Sequence, residues 1–433
     1  MGDMKGRIRE IVSKLKASAF VKDSFWAISG NGLGSALMLL AGILIARFLG
    51  KDLYGEYGMV KTTMFYFAAF STFGLGYTST KFIAEYIQRD GSKLRGIIRS
   101  SYKITLCVSI TLCILLILFA RPLAVFIKAP QMVFPFRYLG LILICRAVST
   151  VGAGVLGGFK AYRTLGINNT LSGALMLMMS VPLTYWFGLK GSLFSLLASQ
   201  LLISVLNTVA VVREIRKLPV QSGQSFDGEL MSFSLPVAIQ ELTYALANWG
   251  SSLLLARFAS LGEVGIYSAC SQWNAIILFI PGLLGNVVLS YLSSSAATDT
   301  DSHQTMLRRM LLVNLVCAAV PFLVVLLFSP LIVSFYGPTF QGMRPVLNVL
   351  IFSTIFTCLS SVFMNELIAR GKNWVLFSVR VFRDIAGTAV LYTVLKMTGG
   401  AHAALNYAFV ILGVSIIFLL LIYLAYNLSS KEK

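Results

Sequence analysis

Twelve apolar stretches of helix length, almost free of charge and parted by short connectors, dominate this chain of 433 residues and leave it little choice of solvent. A hydrocarbon core about 30 Å thick is crossed by roughly 20 apolar residues in a helix, which satisfies every backbone N–H and C=O within the segment. The stretches run approximately over residues 25–47, 58–83, 102–120, 135–159, 166–188 and 191–212, then 231–257, 266–291, 309–328, 345–368, 374–396 and 402–426. A mean hydropathy of +0.80 with only 12% charged residues lies far from soluble domains. The expected fold is an all-α polytopic membrane protein with 12 transmembrane helices, and no soluble domain of useful size remains.

The net charge of +19 does not point to nucleic acid, because the basic residues sit between apolar runs rather than on one folded polar surface. It reads as topogenic charge. Alternating the sides from a cytoplasmic N-terminus gathers Lys5 to Lys22, Lys81 to Lys103, Arg213 to Lys217, Arg308, Arg309, Arg370 and Lys372 on one side. That side holds about 25 Lys and Arg against about 9 on the other, so the positive-inside rule expects both termini in the cytoplasm. Cys107, Cys113, Cys145, Cys270, Cys317 and Cys358 all fall inside apolar segments, where a packing role is expected rather than disulfides. His303 and His402 stand far apart, and no metal-ligand spacing exists.

The expected organisation is a basic N-terminal segment (1–24), a six-helix bundle (25–213), a cytoplasmic linker rich in Ser, Gly and Gln (214–229), a second six-helix bundle (230–427) and a short tail (428–433). No cleavable signal is expected, since the first apolar run begins near Phe25. Ile8, Ile11, Val12 and Leu15 share one helical face with Lys5, Arg9, Lys14 and Lys16 around them. This suits a helix lying among the headgroups, or equally a solvated basic tail.

The two halves repeat. Leu44 to Tyr57 reads LIARFLGKDLYGEY and Leu254 to Tyr267 reads LLARFASLGEVGIY, an ungapped match at an offset of 210. Pro122-Leu123 and Pro330-Leu331 follow at 208, and the turns Lys190-Gly191 and Gly399-Gly400 at 209. Copies of six helices share an orientation, so the bundles are expected to be related by a pseudo-two-fold axis along the membrane normal, with a substrate site between them.

A charge near the bilayer centre costs about 2.5–3.5 kcal/mol on insertion scales, so each one invites a functional reading. Arg146 lies about ten residues into the fourth span, and Glu241 is similarly deep in the seventh. Arg380, Arg383 and Asp384 cluster in the eleventh, where Arg380 and Asp384 are spaced to pair and Arg383 is left over. Lys61 adds a cation nearer the outer side, and Asn31, Gln240, Asn248, Gln272 and Asn274 supply neutral polar groups. Four cations against two carboxylates leave a formal +2, which favours an anionic substrate group. Structural readings stand beside these: Arg380 snorkelling to the headgroups, Arg146 pairing with Glu241 between the bundles, and Lys61 anchoring at the interface. Glu366 is expected at the interface. Gly152, Gly154, Gly157 and Gly158 suit close helix packing rather than phosphate binding.

RFLGKDLYGEY (Arg47 to Tyr57), FGLGYTSTKFIAEY (Phe73 to Tyr86), FSLPVAIQ (Phe233 to Gln240) and FYGPTF (Phe335 to Phe340) together resemble the polysaccharide transporter group. These are the Wzx-like flippases of the multidrug/oligosaccharidyl-lipid/polysaccharide exporter superfamily. The resemblance implies a V-shaped pair of six-helix bundles around a central cavity that alternates between inward-open and outward-open states. It also implies a polyprenyl-diphosphate-linked oligosaccharide as cargo, in cell-surface polysaccharide biosynthesis at the plasma or inner membrane.

On that reading Arg146, Arg383, Arg380 and Lys61 are candidates to meet the diphosphate, and Asn31, Asn248, Gln272 and Asn274 the sugars. Glu241 and Asp384 are candidates for proton or sodium coupling, with the membrane potential alone as the other driving force. No cofactor is expected. The partners would be the lipid-linked glycan, membrane lipids and glycan polymerase or assembly proteins. A cation-coupled multidrug exporter of the same superfamily would want unpaired cavity carboxylates. A membrane-embedded glycan polymerase or ligase would want a sizeable outer loop, whereas the longest outer connector has about fifteen residues.

Overall fold

The computed structural model describes residues 19–89, 91–218, 226–279, 281–282 and 300–431, and among these it is helical throughout. Eleven helices follow in order: α1 (Ala19–Ser71), α2 (Leu75–Arg89), α3 (Leu94–Phe126), α4 (Val133–Gly158), α5 (Tyr162–Arg216), α6 (Asp227–Phe258), α7 (Leu261–Ile277), α8 (Thr300–Tyr336), α9 (Met343–Ala369), α10 (Asn373–Thr398) and α11 (Ala403–Lys431). Seven of them are long and apolar enough to cross a membrane, so the chain is a multi-pass membrane protein. The expected headgroup helix over 5–16, the linker residues 219–225, the end of the eighth stretch beyond 282 and the side chain of Gln240 lie outside the described residues.

α1 and α5 hold 53 and 55 residues, about 80 Å each if straight and more than twice a hydrocarbon core. Each is two helices folded back at a glycine. Gln272 lies against both Gly42 and Lys61, which a straight helix would hold about 28 Å apart, so α1 reverses at Gly50 (φ 71°, ψ 170°). α5 reverses at Gly188 (φ 56°, ψ −132°), bringing the Ser172 hydroxyl to donate to the Ser199 carbonyl at 2.9 Å. Only glycine enters such conformations cheaply. A third interruption was not legible: the stretch 58–83 breaks at Phe73 (φ 52°) and Gly74 (φ 72°). There α1 ends and α2 begins.

Helices α1–α5 pack mainly on one another, as do α6–α11, and the two sets meet chiefly where the second limb of α1 lies on α7. Toward the face that carries Gly50 and Gly188, both sets share a single apolar core with Tyr54, Tyr57, Phe136, Tyr336 and Phe340 at its centre. Toward the opposite face, which carries Lys160, the core divides. Leu75, Ile97, Val155 and Leu230 belong to one part, and Leu307, Val362, Leu376 and Ile422 to the other. The beginning of α6 sides with the first set. Lys103 pairs with Asp227 at 2.6 Å, and the Ser234 hydroxyl donates to Thr78 at 2.8 Å.

The seam between α1 and α7 is reciprocal. A β-carbon on Gly55 would stand 1.8 Å from the Leu261 carbonyl oxygen, and one on Gly265 would stand 2.0 Å from that of Lys51. Residues 261 and 265 are 51 and 55 displaced by the repeat offset of 210. Left-handed residues close the third, fourth and fifth helices of each set as well: Lys128 and Gly337, Lys160 and Gly371, Gly188 and Gly399, at offsets of 209, 211 and 211.

The glycine run on α4 packs as its spacing suggests. A β-carbon on Gly154 would approach the Gly76 carbonyl oxygen to 2.1 Å, and the Thr80 hydroxyl donates to the Gly154 carbonyl at 2.8 Å. Gly154→Val is expected to destabilise the first set by about 1–3 kcal/mol, the usual cost of overpacking. Thermal unfolding in detergent would register it as an earlier transition.

Candidate functional site

Polar side chains gather where the second limb of α1 meets α6, α7, α10 and α11. Lys61 donates to the Gln272 carboxamide oxygen at 3.3 Å, and the Gln272 amide donates to the Tyr54 hydroxyl. Gly42 leaves room for that carboxamide, since any β-carbon there would lie 2.1 Å from its oxygen. No carboxylate pairs with Lys61 among the described residues. Gln272→Leu would strand both the amine and the phenol in a partly buried seam, and a loss of about 1–3 kcal/mol is expected, read by thermal unfolding.

One turn deeper, Trp249 donates to the Thr63 hydroxyl at 3.1 Å and meets Phe67 edge-on at 4.8 Å. Tyr66 meets Tyr244 at 6.0 Å, Tyr267 stacks on Tyr407 at 4.4 Å, and Ser251 and Thr388 share a hydrogen bond of 3.2 Å. Arg380, Arg383 and Asp384 stand on α10, whose Thr388 hydroxyl also donates to the Ala247 carbonyl of α6 at 3.3 Å, and Glu241 stands on α6 itself.

Within that group the pairing differs from expectation. Asp384 is held by Arg383, with its Oδ1 accepting from Nη2 at 2.6 Å and from Nε at 2.8 Å. Arg380 has no acidic partner among the described residues. The i,i+4 rule gives Arg380 and Asp384 a common face, but Arg383 also lies over the Phe418 ring at 4.5 Å, and from there its planar fork reaches the neighbouring carboxylate. The carboxylate and one cation therefore neutralise each other with side chains 9% and 21% exposed. Glu241 forms no ion pair, with Arg146 or any other described residue.

Arg146 lies in the first set, on α4, with its Nε buried and unbonded. Thr150, one turn on, packs its methyl against Gly76, so this face of α4 looks toward the break between α1 and α2. The remaining candidates are spread out. Asn31 accepts from Asn169 inside the first set, Asn274 donates to the Leu350 carbonyl at 3.4 Å inside the second, and Asn248 donates to Tyr244 on its own helix at 2.8 Å. Glu366 is corrected: it is 0% exposed rather than interfacial, and pairs with Arg370 at 2.6 Å. The seam's tyrosines were not picked out from sequence, because an aromatic residue in an apolar run carries no signal until its neighbours are known.

On the Gly50 face a cavity of about 330 Å³ opens between the sets, lined by Asp52, Glu56, Lys128, Gln131, Arg257 and Ser260 among others. The Arg257 guanidinium closes one wall by donating to the Phe126 carbonyl.

A multi-pass helical membrane protein with two helix sets joined at one face, parting toward the other and enclosing a polar, aromatic-lined seam is the class that this geometry defines. The chain belongs to the polysaccharide biosynthesis protein family, which it matches over residues 20–295. It is 24% identical over 295 residues to stage V sporulation protein B of Bacillus subtilis (strain 168), an alignment covering 64% of this chain and 57% of that protein. It is 21% identical over 383 residues to the succinoglycan biosynthesis transport protein ExoT of Rhizobium meliloti (strain 1021), covering 87% and 75%. Among solved structures, an inward-facing multidrug resistance MATE family transporter of the MOP superfamily superposes with a TM-score of 0.77 at 15% identity, covering 94% of this chain and 99% of that one. The lipid II flippase MurJ in an inward closed conformation gives 0.73 at 14%, covering 93% and 87%. Such identities speak for the fold alone.

Proposed function

We propose that this protein is a flippase that carries a polyprenyl-diphosphate-linked oligosaccharide from the cytoplasmic to the outer leaflet during polysaccharide biosynthesis. Its two sets of six spans, related by a pseudo-two-fold axis along the membrane normal, would alternate between openings to either side. The observation that carries the reading is the balance of the charges within the helices, at the seam and on α4. Arg383 and Asp384 cancel, which leaves Lys61, Arg146 and Arg380 without carboxylate partners among the described residues, against the carboxylate of Glu241.

That balance suits an anionic headgroup and disfavours the cation exporter. The aromatic faces of Tyr66, Tyr244 and Tyr267 offer apolar, hydrogen-bonding platforms of the kind that sugar rings pack on. The basic loops assign the Lys160 face to the cytoplasm, so sets joined at the Gly50 face and parted at the other correspond to an inward-directed state. The reciprocal contacts at an offset of 210 and the matched left-handed turns support the symmetry. The name of the succinoglycan biosynthesis transport relative and the polysaccharide biosynthesis family support the cargo class. A diphosphate carries about two negative charges, and outward movement is downhill by about 2.3 kcal/mol per charge per 100 mV, so the membrane potential suffices as a driving force. Glu241, which has no ion pair among the described residues, is the preferred position for a proton or sodium ion.

Binding separates the readings. Purified protein should bind a short-chain prenyl diphosphate oligosaccharide at least about tenfold more tightly than the same glycan on a neutral prenyl alcohol, since one lost charged contact is worth about 1.5–3 kcal/mol. Equal affinity for the two, or preference for a lipophilic cation, would remove the charge argument.

A further inference from the structure

α8, α9 and α11 leave a second cavity of about 330 Å³ on the flank of the second set near the Lys160 face, away from the seam. Its lining is wholly apolar, with Leu311, Leu312 and Leu315 from α8, Phe363 from α9, and Leu420 and Tyr423 from α11. It is open along its length: Leu312 is 59% exposed, Leu420 57% and Tyr423 46%. The surrounding surface of α8 is equally apolar and exposed, with Val316 and Val320 on the next turns, so the cavity is a groove open to the bilayer.

The mouth of this groove is charged. Arg308 falls three, four and seven residues before Leu311, Leu312 and Leu315, so it shares their helical stripe and stands about 10 Å from the far end of it along the axis. Arg309 adjoins it, and both side chains are exposed without a carboxylate partner among the described residues. Arg370, a further cation at this end, is already engaged, because it pairs with the buried Glu366 and lies over the Tyr426 ring at 4.7 Å. Tyr426 in turn packs against Phe363 and Tyr423, which line the groove. The floor is therefore fixed, and the two free guanidinium groups sit at the end where a headgroup would be.

We infer that this groove is a binding site for an anionic glycerophospholipid, with an acyl chain along Leu311, Leu315, Leu420 and Phe363 and the phosphate at Arg308 and Arg309. A zwitterionic lipid would fill the same apolar channel, but its choline or ethanolamine cation would face the two arginines. Basic residues beside a pocket between spanning helices are the general means by which membrane proteins select anionic lipids. The inference does not depend on the cargo proposed above.

Native mass spectrometry of the full chain in detergent, titrated with phosphatidylglycerol, phosphatidylcholine or a polyprenyl monophosphate, tests it. Phosphatidylglycerol should be retained in preference to phosphatidylcholine. An Arg308→Gln, Arg309→Gln variant should bind it at least about fivefold more weakly, given the usual contribution of a basic residue at an anionic surface. Leu420→Trp, which fills the groove from an exposed position, should reduce retention of both phospholipids. Unchanged thermal unfolding of both variants shows that the fold is intact, and the wild-type lipid preference needs no variant at all. Equal retention of the two phospholipids, or phosphatidylglycerol retention indifferent to all three substitutions, would overturn the site. So would displacement of phosphatidylglycerol by the polyprenyl monophosphate at equal concentration, which would make the groove a carrier site.

Discussion

A Gly55→Val variant is expected to reach the membrane, fold, and lose at least about 90% of transport, and Gly265→Val is expected to behave in the same way. Valine cannot be seated at either position while α1 and α7 keep their contact, because the first side-chain carbon alone would overlap a backbone carbonyl at 1.8 or 2.0 Å. Backbone oxygen cannot turn aside as a long side chain can. Relieving the overlap means parting the helices on the Gly50 face, where Tyr54, Gln272 and Phe340 knit the same seam. If that costs about 3 kcal/mol, at the upper end of ordinary overpacking, the joined state falls roughly a hundredfold in population. Each set retains its own packing away from the seam, so the loss should appear in turnover far more than in expression. Transport at the wild-type rate by Gly55→Val would show that this tight closure is not a state the working protein visits.

How much of this was legible in the sequence depends on what each residue signals locally. The helices were legible because hydropathy over 20 residues reports the solvent directly: apart from the turn inside the second, the twelve stretches fall on helix, the eighth of them described only through residue 282, and seven helices are long and apolar enough to cross a membrane. The repeat was legible in LIARFLGKDLYGEY and its partner, but its consequence was not. That Gly55 and Gly265 meet the carbonyls of Leu261 and Lys51 is a fact of how two helices cross. The break at Phe73 and Gly74 was hidden because the residues on either side are apolar enough to continue a span.

In the candidate site, depth along a helix was readable and direction was not. Arg146 lies within one of the seven helices long and apolar enough to cross a membrane, and Arg380, Arg383 and Asp384 lie within α10, yet spacing alone assigned Asp384 to Arg380. The Phe418 ring, 35 residues away in sequence, is what positions Arg383 over it and within reach of the carboxylate. Asn31 and Asn274 looked like cavity groups only because neutral amides are scarce in lipid. Asn31 bonds to Asn169 and Asn274 to the Leu350 carbonyl, each within its own set, as amides among packed helices commonly do.

The second large effect concerns the cations that remain. An Arg146→Gln, Arg380→Gln variant keeps a polar, hydrogen-bonding side chain at both positions but removes two of the three charges that have no carboxylate partner among the described residues. Export of an anionic headgroup should fall by about a hundredfold if each charge contributes even 1.4 kcal/mol to holding it. Arg383→Gln has a different expectation. It leaves Asp384 unneutralised in a partly buried setting, so its loss should include a fall in thermal stability of about 1–3 kcal/mol. Separate behaviour of these variants distinguishes a binding charge from a paired one.

The most direct test is made in sealed vesicles holding the purified protein and a fluorescent polyprenyl-diphosphate oligosaccharide, with a membrane-impermeant glycosidase added outside. With the compartment that receives the headgroup held positive, the protected fraction of the glycan should become digestible at a rate that rises with the potential and collapses in the Arg146→Gln, Arg380→Gln variant. Headgroups that stay protected beyond protein-free vesicles, or that cross equally fast with both arginines neutralised, would contradict the assignment of this protein as a flippase for an anionic glycan headgroup.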